Sequence, residues 1–143
     1  FSQFVQMLQI IRGGLQLTDI PFCYLDGTSK DRLDQVDRFN NSPEIPIFLI
    51  SLKAGGTGIN LTSADYVIHY DPWWNPAVED QASDRAYRLG QQRPVTVYRL
   101  VARGTVEESI LKLHRSKRAL AADVLEGTDV PLSEAELMDL IRR

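Results

Sequence analysis

Two arginines and a glutamine in the second half of the chain have the residue types and the spacing of a phosphate-binding group. Gln81, Arg85 and Arg88 stand at positions i, i+4 and i+7, which share one side of a helix. Guanidinium groups bind phosphate oxygens through charge-assisted hydrogen bonds, and arginine fingers raise turnover in phosphoryl-transfer enzymes by about 10³–10⁵. An ion pair between Asp84 and Arg88 would explain Arg88 alone. The pattern therefore favours a polyphosphate as the ligand of this helix.

A glycine-rich segment, SLKAGGTGIN at 51–60, follows a predicted buried strand. Its glycines permit positive φ and close approach to an anion, and Thr57 adds a hydroxyl donor. The segment matches neither GxGxxG nor GxxxxGK[ST], because no Lys-Ser or Lys-Thr pair follows the glycines. Taken alone, it is as compatible with a structural turn as with an anion site. Since the chain lacks the pattern that grips nucleotide phosphates and Mg²⁺, we expect it to contact a nucleotide from one side.

Two further segments predict contacts with a partner or with nucleic acid. In YDPWWNP (70–76) the prolines stop the preceding strand, and neighbouring side chains of an extended segment point in opposite directions. We expect one tryptophan to cover the core, with Trp74 favoured for that place, and the other to face outward. The segment 27–32 combines hydroxyls with Lys30 and Arg32 at a helix start, which suits backbone phosphates, although many helices begin in this way.

The elements that position these residues alternate between strands and helices. Short runs rich in β-branched and aromatic residues predict strands at 21–25, 45–51, 65–70 and 95–101. Helical spacing is found at 3–17, 30–41, 77–89 and 105–126. Several strands are apolar on both faces, which is typical of a parallel sheet covered by helices on each side.

The last third of the chain carries signals for where helices begin and end. Thr105 with Glu108 and Ser133 with Glu136 predict capped helix starts, and Gly127 predicts a helix end. The sequence thus predicts an α/β fold with a C-terminal helical tail.

Composition excludes several other classes of protein. The 143 residues, of which 43% are apolar and 24% charged, suit one globular domain. A net charge of −3 means that any anion site must be local. Cys23 stands alone, which excludes a disulfide framework and a cysteine zinc site, and no His/Asp/Glu cluster has metal-ligand spacing. We predict no metal site, a core position for His69, no membrane contact and a cytoplasmic location.

Four strings of the sequence resemble the second RecA-like lobe of a SWI/SNF-like ATPase, a branch of helicase superfamily two. In order, they are FSQF, YLDGTS with the R and RFN that follow, SLKAGGTGINLTSADYVIHYDPWWNP and QASDRAYRLGQQRPVTVYRLVARGTVEESI. The resemblance implies a helicase C-terminal RecA-like lobe over 1–122, with helices on both faces of a parallel sheet, and a helical tail over 123–143. FSQF reads as the end of a strand, so we expect a piece of a longer protein. Tyr87, where eukaryotic relatives usually have His, and the tail imply a bacterial member.

The resemblance also implies roles for individual residues. It assigns catalysis to Gln81, Arg85 and Arg88, as the motif that supplies arginine fingers. It assigns nucleotide binding to Gly56, Thr57, Gly58, Arg85 and Arg88. It assigns DNA contacts to Gln3, Thr28, Arg32, Lys53 and Trp73, with Ser2 beside Gln3 as a further candidate for DNA or interlobe contacts.

The activity implied is that of a DNA-dependent ATPase that moves along duplex DNA and remodels DNA-bound proteins. ATP and Mg²⁺ would be held mainly by the first lobe of the same polypeptide, so we expect the isolated 143 residues to be inactive. The partners implied are double-stranded DNA, that first lobe and a DNA-bound protein target. The alternatives are a strand-separating DNA or RNA helicase and a non-catalytic DNA- or protein-binding module. A dinucleotide-binding enzyme fails because GxGxxG is absent.

Overall fold

Strands and helices alternate along the chain. The computed structural model describes residues 1–54, 58–88 and 90–125. The helices are α1 (Val5–Leu17), α2 (Arg32–Asn41), α3 (Pro76–Ser83) and α4 (Val106–Leu125), and the strands are β1 (Phe22–Leu25), β2 (Ile47–Ile50), β3 (Tyr66–His69) and β4 (Thr96–Arg99). The four predicted strands and the four predicted helices up to residue 125 are present, which confirms the α/β class. α3 is shorter than the predicted helix over 77–89.

The strands form two parallel pairs, and the first two residues of the chain join the pairs. β1 pairs with β2, and β3 pairs with β4. Ser2 exchanges backbone hydrogen bonds of 3.2 and 2.9 Å with Ile50 and Leu52, at the end of β2. On its other side, Phe1 exchanges bonds of 2.7 and 2.9 Å with Ile68 and Tyr70 of β3 and its end. FSQF therefore starts in extended, sheet-bonded backbone, as its pattern predicted.

Helices cover both faces of the β1–β2 pair. Tyr24 and Leu25 are neighbours in β1, so their side chains lie on opposite faces. The Arg12 guanidinium of α1 lies 5.0 Å from the centre of the Tyr24 ring. Leu25 packs in a buried cluster with Val36 of α2. The prediction of helices on both faces is confirmed for this half of the sheet.

The β3–β4 pair is covered on one face by α3, and its other face is exposed in the part of the chain that the structure describes. Val67 packs with Ala86, and His69 is fully buried, with its Nε2 atom 2.9 Å from the Ser83 hydroxyl. The predicted core position of His69 is thus confirmed. The opposite face carries large side chains that are about half exposed, namely Tyr66, Ile68, Tyr98 and Leu100. The rings of Tyr66 and Tyr98 stack at 6.2 Å.

Buried apolar side chains form two clusters, one for each strand pair. The larger cluster consists of Leu25, Val36, Ile50, Ala54, Ile59 and Leu61. The smaller consists of Val67, Ala86 and Val95. Phe1 and Ala64 pack against both clusters. The apolar contact between the two halves of the domain is therefore concentrated at these two partly buried residues.

The starts of α3 and α4 are capped by side chains. Asn75 accepts a hydrogen bond of 3.2 Å from the N–H of Ala77, at the start of α3. At the start of α4, Thr105 accepts from the N–H of Glu107 at 3.3 Å, and the Glu107 carboxylate accepts from the N–H of Ala102. The predicted cap at Thr105 is confirmed, but Glu107 rather than Glu108 reaches back, because the bonded N–H belongs to Ala102.

The predicted division after residue 122 falls inside α4, which continues to Leu125. The predicted helix end at Gly127 and the cap at Ser133 lie outside the described residues. No helix among those described is long and apolar enough to span a membrane.

Candidate nucleotide and nucleic-acid interface

Arg85 lies in a turn just beyond the end of α3, where it is 5% exposed. Its backbone carbonyl accepts a hydrogen bond of 2.8 Å from the N–H of Leu61. In a continuing helix that carbonyl would accept from a residue four positions later, so the bond to Leu61 takes its place. α3 ends at Ser83, where the N–H groups of Arg85 and Ala86 bond three residues back, to Ala82 and Ser83, and the bond from Leu61 holds the turn that follows.

The early end of α3 changes the predicted arrangement of Gln81, Arg85 and Arg88. Gln81 lies in α3 and is exposed, Arg85 is buried, and Arg88 is exposed beyond the helix end. The prediction that the three residues share one side of a helix is therefore wrong. Nor do Asp84 and Arg88 form an ion pair, which removes the simple explanation for Arg88.

Arg88 nevertheless influences the pKa of Arg85. Burial lowers the pKa of Arg85, the positive charge of Arg88 lowers it further, and Asp84 raises it. An arginine stays protonated under such influences, so Arg85 is a buried cation beside an exposed one.

The glycine segment adjoins this arginine turn through Leu61. Lys53 is exposed at the start of the segment, and Gly58 has a φ of +69°, in the left-handed region that favours glycine. Gly55, Gly56 and Thr57 lie outside the described residues. The expectation that the glycine segment follows β2 is confirmed, whereas the arginines follow α3 rather than the end of a strand.

The predicted DNA-contacting segment at the start of α2 is tied together by Asp26. Its Oδ1 atom accepts from the N–H and the hydroxyl of Thr28, at 2.8 and 2.7 Å. These bonds hold the pKa of Asp26 below its usual value, and the bond from the Thr28 hydroxyl has the largest effect. Thr28 itself is exposed, and Arg32 donates to the carbonyl of Ala54. Arg32 therefore links α2 to the glycine segment.

The tryptophan loop is arranged differently from the prediction. Trp74 is 53% exposed, and Trp73 is half-buried. The expectation that Trp74 covers the core is wrong, because the loop turns instead of running straight into α3. The two rings lie 6.1 Å apart and tilted by 46°, so they form one aromatic pair rather than pointing in opposite directions. Lys117 of α4 lies 4.7 Å above the Trp74 ring.

Asp71 anchors the start of the tryptophan loop to the start of the chain. Its carboxylate accepts hydrogen bonds from the Ser2 hydroxyl and, at 2.9 Å, from the N–H of Gln3. Ser2 is fully buried, so its predicted part in DNA or interlobe contacts is wrong, since it serves the sheet and Asp71. Gln3 is half-buried.

An ion pair next to the tryptophan loop was not predicted from the sequence. Glu79 of α3 is 0% exposed and accepts from Arg99 of β4 at 2.7 Å. His114 of α4 is also buried, with its Nδ1 atom 4.0 Å from Glu79. The sequence does carry a signal for this pair. Glu79 stands three residues before the buried Ala82, and Arg99 stands two residues after Val97, on the same face of β4.

The sequence matches a known family over most of its length. Residues 1–90 match the family described as the helicase conserved C-terminal domain. The chain belongs to this family. A solved structure supports the same fold for this helicase C-terminal domain. The chain is similar to a crystal structure of the C-terminal part of the Fun30 ATPase domain, with a TM-score of 0.76 and 43% sequence identity. The match covers 79% of this chain and 37% of that one.

Proteins named chromatin-remodeling ATPase INO80 are similar to this helicase C-terminal domain. Those of Gibberella zeae and Aspergillus oryzae are each 48% identical, and that of Neurospora crassa is 49% identical, all over 89% of this chain. The chain spans 6–9% of the length of these relatives. They are fungal proteins, so they do not support the bacterial origin that Tyr87 suggested, and their name gives no support to a cytoplasmic location.

Proposed function

We infer that this domain is the second motor lobe of a DNA-dependent ATPase that couples ATP hydrolysis to movement on duplex DNA and to remodelling of protein–DNA complexes. The observation that carries the inference is the hydrogen bond between Arg85 and Leu61, the residue that directly follows the glycine segment. The similarity to proteins named chromatin-remodeling ATPases supports the same activity.

The arginine turn fits the phosphate chain of ATP. Arg88 offers an exposed guanidinium, which lies close enough to the buried Arg85 to lower the pKa of that residue. ATP supplies the phosphoryl group that is transferred to water, and the arginines stabilise the negative charge that its oxygens carry. Gln81, Gly56, Thr57 and Gly58 remain candidates for the same site.

The described residues do not fit a complete Mg²⁺ site. No group of three or more His, Cys, Asp or Glu side chains lies close enough together within them to hold a metal ion. We assign the ligands of Mg²⁺ to another lobe of the same polypeptide. That lobe is also the partner against which this domain would close.

Exposed residues suit contacts with the DNA backbone. Lys53, Thr28 and Trp74 are exposed, whereas Gln3, Arg32 and Trp73 are half-buried. Contacts of lysine and hydroxyl groups with phosphates carry little sequence information and weaken steeply with salt. A DNA-bound protein target and a location at chromatin, in place of the cytoplasm, follow from the activity proposed.

The test is the ATP turnover of the full-length protein with duplex DNA, single-stranded DNA, RNA or no nucleic acid. We expect duplex DNA to stimulate turnover most. A triplex-displacement assay would report movement along the duplex, and strand displacement on tailed duplexes would instead favour a strand-separating helicase. Absence of any stimulated turnover would contradict the proposal.

A non-catalytic DNA- or protein-binding module is the second candidate, and the burial of Arg85 favours it. A module of this kind would bind duplex DNA with the same affinity whether or not ATP is present. An ATP-dependent change in DNA affinity would count against it.

A further inference from the structure

Both polar backbone groups of Trp73 are held by side chains from two different helices. Its N–H donates to Oε1 of Glu79 at 2.8 Å, and its carbonyl accepts from Nε2 of His114. Since a carbonyl oxygen can only accept, the Nε2 atom carries the hydrogen. Glu79 belongs to α3, and His114 belongs to α4, 41 residues beyond Trp73. The tryptophan loop is thereby fixed to two helices that are far apart in the sequence.

The two side chains that hold Trp73 are themselves immobilised by burial. The second carboxylate oxygen of Glu79 is bonded to Arg99, so both of its oxygens are engaged. His114 is 2% exposed. In a buried site of low dielectric such hydrogen bonds are strong, and an unpaired group is costly. The position of Trp73 is therefore set by the positions of α3 and α4.

α3 also leads into the arginine turn. Arg85 lies two residues after the end of α3 and six after Glu79. A shift of the aromatic pair formed by Trp73 and Trp74 would thus be carried by Glu79 into α3 and on to Arg85. Packed helices transmit displacements of this kind because their interiors are dense and barely compressible.

We propose that Glu79 and His114 are positioning residues for DNA-stimulated ATP turnover, because they make the tryptophan pair move as one body with α3 and α4. The inference rests on the proposed function and names the residues that connect its DNA contact to its nucleotide contact. Neither residue touches DNA or nucleotide in this role. Each acts through Trp73.

Two substitutions of similar volume separate hydrogen bonding from packing at His114. His114→Leu fills the space but removes the donor, whereas His114→Gln retains an amide donor for the carbonyl of Trp73. The measurement is ATP turnover of the full-length protein against duplex DNA concentration. We expect His114→Leu to raise the DNA concentration for half-maximal stimulation by about tenfold, the effect of one such hydrogen bond. His114→Gln should stay near the wild type, and DNA-independent turnover should be unchanged in both.

Asp80→Asn is the matched control on the same helix. Asp80 follows Glu79 and binds Arg99 and Arg118, at 3.2 and 2.7 Å, but it makes no hydrogen bond with the loop. We expect this variant to keep the wild-type DNA response. Hydrogen exchange at the amide of Trp73 should quicken in His114→Leu and keep its wild-type rate in Asp80→Asn and His114→Gln.

The outcomes separate this inference from the function on which it rests. Equal DNA responses of the two His114 variants, or a loss of DNA-independent turnover in His114→Leu, would overturn the positioning role and leave the motor function standing. If DNA did not stimulate the ATP turnover of the wild-type protein, the proposed motor function would be overturned, and the positioning role with it.

Discussion

The backbone N–H of Leu61 donates a hydrogen bond of 2.8 Å to the carbonyl of Arg85. This bond holds the arginine turn, which follows the end of α3, against the segment that follows the glycines. Gln91 and Arg93 add side-chain bonds of 2.7 Å each from the far side of the turn, to the carbonyls of Ala64 and Ser63. The turn that carries Arg85 and Arg88 is thus a fixed structure rather than a helix surface.

Substitution of Arg85 or Arg88 should affect stability differently but ATP turnover in the same way. Arg88→Ala changes an exposed side chain, so the free energy of unfolding should change by less than about 0.5 kcal/mol. Arg85→Ala opens a buried position and should cost about 1–3 kcal/mol. Both should abolish ATP turnover by the full-length protein while DNA binding stays nearly intact. The measurements are urea unfolding and steady-state ATP turnover.

Retained DNA-stimulated turnover in Arg88→Ala would remove the catalytic role of the exposed arginine. Arg85→Lys is the control for charge, because it keeps the cation and loses the planar donors.

Trp74 and Trp73 should also have different roles. Trp74→Ala removes an exposed ring and should weaken DNA binding by the full-length protein, by up to about 1–3 kcal/mol if the ring stacks on a base. It should leave the melting temperature unchanged. Trp73→Ala should instead lower the melting temperature, since that ring is half-buried. Fluorescence anisotropy with labelled duplex and thermal unfolding give the two readings, and unchanged DNA affinity in Trp74→Ala would exclude Trp74 from the interface.

Thr28 should control the pKa of Asp26. Thr28→Val removes the hydroxyl that is the largest cause of the lowered pKa, so the pKa should rise, while Thr28→Ser should preserve it. A carboxylate with a lowered folded-state pKa stabilises the fold above its unfolded value of 3.8, and that stability is lost as the pH falls. Thr28→Val should therefore be less stable at pH 7, by about 1 kcal/mol, and equal to wild type in strong acid. NMR titration of the Asp26 carboxyl carbon measures the shift.

His69 should make the domain sensitive to mild acid. Burial, with help from positive charges that include Arg99, lowers the pKa of His69 from 6.5 to about 3. Between these two pH values His69 is protonated in the unfolded chain and neutral in the folded one. The free energy of unfolding is therefore at its full value above pH 6.5 and falls as the pH drops towards 3. The slope from this residue is about 1.4 kcal/mol per pH unit. His69→Gln should flatten the curve of unfolding free energy against pH, and a parallel curve would contradict the assignment.

The sequence predicted what local patterns determine. The strands and most helix limits follow from periodicity, and the cap at Thr105 follows from one short motif. The arginine turn after α3 does not, because the hydrogen bond that holds it comes from Leu61, 24 positions before Arg85. The exposure of Trp74 was not predicted from the sequence, for a similar reason. Its loop is bent by Asp71, Glu79 and His114, whose bonds reach across 68, 6 and 41 positions respectively.

The Glu79–Arg99 pair shows a different limit of prediction from the sequence. Charged residues are expected at the surface unless they are paired, and pairing cannot be recognised before the strands and helices are assembled. Once β4 is placed beside β3, Arg99 lies opposite His69, on the face that α3 covers. The candidate arginines could be proposed from the sequence because their chemistry is local to one segment, and their role stays a prediction. The residues that support them come from separate segments.

Phe1 packs against both apolar clusters of the domain, one beneath each strand pair. Two small cores that share so little apolar contact melt as one cooperative unit only while their link is intact. Truncation of that ring would therefore let the β3–β4 half lose its structure before the β1–β2 half, and heating would produce two transitions in place of one.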